Sequence, residues 1–158
     1  MKPKIRPVTG ADINYVRDID LKSYTYPWDS EMWRKLANDK SCYIVISSLG
    51  FTPTGFIVWK VEEDACQVLR LGVKPHARNL GSGSALITHV EDWAIDHHLT
   101  NIYTLVPEIN CFPGHPDDVS AWLLHRGFKA TLPIIEDLAF LYGNLVDGYK
   151  FVKELYVT

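Results

Sequence analysis

Cysteine is scarce in this chain and follows no pairing pattern. Cys42, Cys66 and Cys111 are the only three among 158 residues, and no two of them stand in Cys-x-x-Cys spacing. An odd, unclustered set excludes a disulfide-stapled scaffold and a zinc ribbon, and reads as reduced thiols of a cytoplasmic protein with no metal. Long apolar runs are missing as well. No stretch approaches the roughly 18 apolar residues of a membrane helix, and the first residues show no basic leader ahead of an apolar segment, so neither membrane insertion nor export is signalled. There is no basic excess either. A formal net charge of −3 argues against a protein that lives on nucleic acid or on an anionic membrane. Repeats, low-complexity tracts and linkers are lacking too. Residues 1–158 are therefore expected to form a single domain, and with 47% hydrophobic residues it can bury a full core without staples.

The most informative passage is Arg78-Asn79-Leu80-Gly81-Ser82-Gly83-Ser84. It lies between a strand-like apolar run at 68–73 and a helix-like run at 85–98. Glycines let a backbone approach a ligand with no Cβ in the way, and the amides of a helix's first turn then point at an anion. A P-loop is excluded because no Gly-Lys-Ser/Thr follows. A dinucleotide fingerprint is excluded because Lys74 to Leu80 intervene between strand and glycines. A plain helix-capping turn and an anion-binding loop remain, and the surrounding elements favour the second.

Those elements alternate along the chain. A strand is expected at 5–8, then a helix over 11–23 that starts at Thr9 and Asp12 and carries Ile13, Val16 and Ile19 on one stripe. Asp29 or Ser30 caps a short helix to about residue 38. Segments 41–48 and 54–61 make a hairpin and 66–73 a third antiparallel strand. The longest helix, 85–98, carries Leu86, Val90, Trp93, Ala94 and His97 at helical spacing. A strand at 101–106, a loop of breakers (Pro107, Pro113, Gly114, Pro116), a helix at 117–125 closed by Gly127, and strands at 128–135 and 149–157 complete the chain. A strand–helix–strand crossover in an otherwise antiparallel arrangement implies an α/β (α+β) protein. Its sheet would be mixed, twisted and mostly antiparallel, of about seven strands, with helices on both faces.

This order, with Arg78-x-x-Gly81-x-Gly83 after a strand ending Leu71-Gly72-Val73-Lys74-Pro75 and with Arg126-Gly127-Phe128 closing the last helix, resembles the GNAT family of N-acetyltransferases over nearly the whole chain. The resemblance implies acetyl-CoA as co-substrate. It places the pantetheine arm along the backbone of Leu71, Gly72 and Val73, and the pyrophosphate on the amides of Asn79, Leu80, Gly81, Ser82, Gly83 and Ser84. Arg78 stands where the family has Gln or Arg. Family members have an asparagine that caps the last helix and reaches the pantetheine; here the insertion Cys111 to Pro116 separates Asn110 from that helix, so either Asn110 keeps the contact or the role is lost. Tyr26-Pro27-Trp28 resembles a segment that borders the peptide groove in the ribosomal-protein alanine N-acetyltransferase branch. It makes Tyr26 and Trp28 candidates for acceptor binding, or else a hydrophobic staple for the second helix.

The customary catalytic groups differ. The family's strand glutamate, eleven residues ahead of Arg78, is Gln67 here, and its tyrosine, four residues before Gly127, is Leu123. Gln67 could hold a water that passes a proton to solvent or to Glu108, itself either a base or a solvated loop carboxylate. Tyr142 and Tyr149, placed between the last two strands, are replacement candidates for the acid, with Tyr142 also bordering the acceptor site; His125 is a weaker one. The site suits an amine that is easily neutralised. Deprotonating a lysine at neutral pH costs about 4.6 kcal/mol and an α-amine about 1–1.4. The implied function is acetyl transfer to a primary amine, first a protein or peptide N-terminus, with a small-molecule amine or a non-catalytic CoA sensor as alternatives, in a monomer or homodimer.

Overall fold

A computed structural model describes residues 2–24, 27–107, 119–141 and 144–155. The chain runs β1 (Lys4–Pro7), a 3-10 turn (Gly10–Asp12), α1 (Ile13–Ser23), α2 (Ser30–Ala37), β2 (Cys42–Leu49), β3 (Thr52–Glu62), β4 (Ala65–Val73), a 3-10 turn (Pro75–Ala77), α3 (Ser82–Asp96), β5 (Asn101–Pro107), α4 (Ser120–His125), β6 (Lys129–Leu141) and β7 (Asn144–Glu154). The strands form one sheet in the order β1-β2-β3-β4-β5-β7-β6. All neighbours are antiparallel except β4 and β5, which α3 joins as a crossover.

Both faces of the sheet are covered. Val16 and Ile19 of α1 and Trp33 of α2 pack on Ile46, Phe56 and Val58. On the opposite face Leu86, Val90 and Ala94 of α3 and Leu123 of α4 pack on Ile57, Trp59, Cys66 and Val68. Successive β3 residues thus alternate between two cores, which is why this strand reads as an unbroken apolar run. Asp29 caps α2, its Oδ1 accepting from the Met32 amide at 2.9 Å. The other expected start is a charged knot: the Asp12 carboxylate accepts from the Thr9 amide (2.9 Å), the Thr9 hydroxyl (3.0 Å) and the Arg6 guanidinium (2.7 and 2.9 Å).

Three expectations about extent are corrected. α3 begins at Ser82, not at 85, because the left-handed Gly81 already closes the loop and Gly83 and Ser84 form the first turn. The strands expected at 128–135 and 149–157 are a longer hairpin, β6 reaching Leu141 and β7 starting at Asn144. Register shifts between Thr131 and Ile135 and between Ile135 and Ala139 break the period-two alternation by which a strand is read. Tyr149 consequently lies inside β7, opposite Val106 of β5, and not in a connecting segment.

Candidate active site

The parallel pairing of β4 with β5 runs only from Ala65↔Asn101 to Val68↔Thr104. Beyond it β4 stays on β3 as far as Val73↔Gly55, and β5 stays on β7 as far as Pro107↔Gly148, so the two strands part company. Leu69 is the extra residue of a bulge at the parting point, where Val68 faces Trp59 and Arg70 faces Val58. The split opens a cavity of about 530 Å³. Diverging strand ends line it together with Tyr24 and Trp28 on one side and Trp122 and Leu123 of α4 on the other. Among the described residues Arg70 is the one charged side chain in its lining.

Behind the cavity the glycine loop turns into α3. Asn79 (φ 65°) and Gly81 (φ 93°) are both left-handed, and Ala85 is the first amide on the helical ladder, bonded to the Gly81 carbonyl at 2.9 Å. The amides of Ser82, Gly83 and Ser84 therefore precede the ladder and face outward at the positive end of the helix dipole. A Cβ on Gly83 would lie 3.6 Å from the Trp122 ring and 3.8 Å from Val73, so alanine fits there and a larger side chain would press on Trp122. A Cβ on Gly72 would fall 2.6 Å from the Phe56 ring, which keeps the β4 backbone flat against β3.

Side chains brace the loop from behind. Ser82 Oγ, buried at the start of α3, is 3.0 Å from Thr54 Oγ1, which is 3.1 Å from Ser47 Oγ. Arg78 donates from Nε to the Val73 carbonyl (3.1 Å) and from Nη2 to the Ser23 carbonyl (3.0 Å), so its guanidinium ties loop, strand and the C-terminus of α1 together. Arg126 donates to Ser84 Oγ (3.0 Å) and Thr88 Oγ1 (3.1 Å), bringing a cation beside the first turn of α3. The splayed strands and the α3 amides that precede the helical ladder suit a ligand with an anionic end and an extended amide chain, which is the chemistry of coenzyme A.

The other candidates separate by position. Leu71, Gly72 and Val73 form the splayed end of β4, and Trp28 lies in the cavity wall. Gln67 is in the paired section, its Oε1 accepting from the Tyr103 hydroxyl at 3.3 Å. Burial first, then nearby Glu62, raises the pKa of Tyr103 and keeps that hydroxyl a donor. Leu123 is buried in the cavity lining, an aliphatic surface where the family resemblance leads one to look for a hydroxyl. His97 is structural, stacked on Trp93 at 3.9 Å with Nδ1 2.7 Å from the Trp93 carbonyl. Tyr26, Glu108, Asn110 and Tyr142 lie outside the described residues. The described residues contain no metal-binding group of three or more His, Cys, Asp or Glu, and no helix long and apolar enough to cross a membrane.

Several residues of the site carried no signal in the sequence. Tyr24, whose hydroxyl donates to the Leu71 carbonyl at the splayed edge, sits at a helix end, and Arg70 reads as a polar position on a strand. Asp20 looks like a solvent-facing residue of an amphipathic helix yet is fully buried. The nearest available hint was the charged pair itself, an acid in α1 and a base in a strand whose other residues, Gln67 apart, are apolar or glycine.

A parallel strand pair that opens beside a glycine-capped helix N-terminus, inside a seven-stranded mixed sheet, defines the layout of a coenzyme A-dependent acyltransferase. The chain belongs to the acetyltransferase (GNAT) family, whose sequence model matches residues 13–112. It is 32% identical over 87 residues to "Putative ribosomal protein bS18-alanine N-acetyltransferase" of Bacillus subtilis (strain 168), a match covering 54% of this chain and 57% of that protein, so the likeness spans little more than half the relative's length. In fold it is similar to the ribosomal-protein-S18-alanine N-acetyltransferase of Escherichia coli (TM-score 0.83, 15% identity, 99% of this chain and 96% of that one). It is similar also to Ard1 of Thermoplasma volcanium (TM-score 0.82, 19% identity, 99% of each chain).

Proposed function

We propose that this protein transfers an acetyl group from acetyl-CoA to the α-amine of a protein or peptide N-terminus. The observation that supports the choice of acceptor is the cavity wall, which among the described residues is aromatic and aliphatic apart from Arg70 and Thr104 and free of carboxylates. A diamine or polyamine brings a second cation that calls for an acidic partner of its own, and the described lining supplies none. An N-terminus brings one amine next to a peptide carbonyl. The similar proteins named for alanine acetylation of a ribosomal protein support the same choice.

In this reading the outward amides of Ser82, Gly83 and Ser84 hold the pyrophosphate, and the splayed end of β4 receives the pantetheine amides as an added strand. Bound acetyl-CoA supplies the activated acyl group, as a thioester. The indole and phenol rings of Trp28 and Tyr24 exclude water from the split, and the strand ends hold the acceptor between them. Leu123 offers no proton, and Gln67 is engaged with Tyr103. An acceptor whose pKa is already near 8 loses its proton without a strong base, and a thiol of pKa about 8.5 leaves without an acid. The roles of Glu108 and Tyr142 remain part of the proposal, with Glu108 receiving the amine proton and Tyr142 bordering the acceptor.

The test is thiol release from acetyl-CoA against a panel of amines. Short peptides with a free small N-terminal residue should stimulate release most, and kcat/KM for them should rise about tenfold per pH unit below pH 8 as the α-amine deprotonates. If N-acetylated peptides bearing a free lysine serve as well, the α-amine preference is wrong. Tight acetyl-CoA binding with no release in the presence of any amine would favour the non-catalytic sensor, consistent with Leu123 and Gln67.

A further inference from the structure

Arg126, the residue that closes α4, reaches across to the first two turns of α3. Its Nη1 donates to Ser84 Oγ at 3.0 Å and its Nη2 to Thr88 Oγ1 at 3.1 Å, while its Nε is buried without a hydrogen-bond partner. Both acceptors are neutral hydroxyls. None of the ion pairs among the described residues includes Arg126. Ser84, Thr88 and Glu91 share one stripe of α3, and the acid of that stripe is taken, since Glu91 Oε1 accepts from Lys153 Nζ at 3.0 Å. The stripe therefore meets two cations with one carboxylate.

This placement runs against the helix dipole. The amides of Ser82, Gly83 and Ser84 precede the ladder, so this end of α3 already carries partial positive charge, and a partly buried guanidinium beside it is disfavoured until an anion joins them. The Trp122 ring links the cation to the loop. Its centre lies 5.4 Å from Arg126 Cζ, and its edge lies 3.6 Å from where a Cβ on Gly83 would sit. Arg78, the cation within the loop, is engaged by two backbone carbonyls.

We propose that Arg126 is a phosphate-binding residue of the cofactor site, its guanidinium and the loop amides together holding an anionic group of CoA. This rests on the reading of the loop as the CoA site and not on any choice of acceptor. A guanidinium fork matches phosphate geometry, and the bonds to the two hydroxyls can be kept or exchanged without breaking an ion pair. CoA offers this chemistry in its pyrophosphate and in the 3′-phosphate of its ribose.

The experiment is calorimetric titration with CoA and with dephospho-CoA, which lacks the 3′-phosphate, at low and at high salt. Arg126→Gln should weaken CoA about tenfold at low salt, and Arg126→Lys should recover most of that loss because the charge stays. At about 0.5 M salt the gap between wild type and Arg126→Gln should narrow, as screening removes the charge term. Thr88→Val loosens the guanidinium from α3 and leaves the cation, so CoA affinity should stay within about twofold of wild type. Should Arg126→Gln fail to fold, Arg126→Met keeps the stem over Trp122 and takes its place with the same expectations. An equal loss with dephospho-CoA puts the guanidinium on the pyrophosphate, and a loss confined to CoA puts it on the 3′-phosphate.

CoA affinity in Arg126→Gln within about twofold of wild type at low salt overturns the proposal. So does a loss that is the same at both salt concentrations, which would make Arg126 a packing clamp between α3 and α4. If wild type itself does not bind CoA, the reading of the loop fails and this inference with it, whereas CoA binding that ignores Arg126→Gln sinks this inference alone.

Discussion

Gly83 decides whether the turn before α3 is a binding loop or a filled one. Its missing side chain leaves the space between the first-turn amides and the Trp122 ring, 3.6 Å from where a Cβ would sit. Alanine fits that distance, and Gly83→Ala should keep CoA affinity within about threefold, since an ordinary van der Waals contact costs little. Gly83→Trp should lose at least about a hundredfold in CoA affinity, roughly 2.7 kcal/mol, while remaining folded. Calorimetric titration of both variants checks the pair, and equal affinities would show that the anion sits elsewhere. Gly81 plays a different part, since its φ of 93° is a conformation side chains resist. Arg78 illustrates how a residue's role depends on its surroundings: two backbone carbonyls from different elements occupy it as a brace.

Elements place these residues by their ends. The start of α1 is held by Asp12, which the Arg6 guanidinium of β1 first, and the Thr9 amide next, hold well below the usual carboxylate range. A depressed native pKa contributes stability that is present above the unfolded value, near 4, and is lost as pH falls toward the native one. Asp12→Asn should therefore lower the melting temperature by about 2–4 °C at pH 7 and flatten the acid limb of stability below about pH 4. Melting curves from pH 7 down to pH 3 test this, and parallel acid limbs in both proteins would contradict it. At the other side of the cleft Gly148 in β7 lets Leu138 of β6 cross the strand into the cavity lining, because a Cβ there would meet Leu138 Cδ2 at 2.1 Å and the Val106 carbonyl at 2.6 Å. Gly148→Ala should cost about 1–3 kcal/mol by overpacking and narrow the acceptor end of the cavity, read as a denaturation midpoint shift together with a raised acceptor KM.

For the whole molecule, the cleft is a gap in the sheet, with β3 holding one lip and β7 the other. A ligand that bridges both lips should stabilise everything around it. CoA at a hundred times its Kd should add about 2.7 kcal/mol and raise the melting temperature by roughly 5–10 °C. A scanning-fluorimetry titration measures the shift, and an unchanged melting temperature at saturating CoA would remove the basis for the function proposed above. Solvation of the cleft matters as much as its shape, because an apolar wall makes every charge in it count, and Arg70 is the charge that the described lining contains.

The sequence by itself determined the order of elements, the sheet's mixed character and the glycine loop. Local periodicity, turn chemistry and helix caps act over a few residues, and they are written there. It narrowed the cap of α2 to Asp29 or Ser30, of which Asp29 is the cap, and put Gly81 and Gly83 at the mouth of α3, because conformational preference at single positions suffices for that. Register shifts hid the length of β6 and β7, since an irregular strand has no period to read. Only the tertiary structure decided that β4 and β5 part after Val68 and Thr104, that Gln67 is engaged with Tyr103, and that a polar position of α1 becomes a buried carboxylate behind Arg70. Each of these depends on groups dozens of residues apart, and contacts at that separation follow from packing two layers of helices on one twisted sheet, which no local pattern encodes.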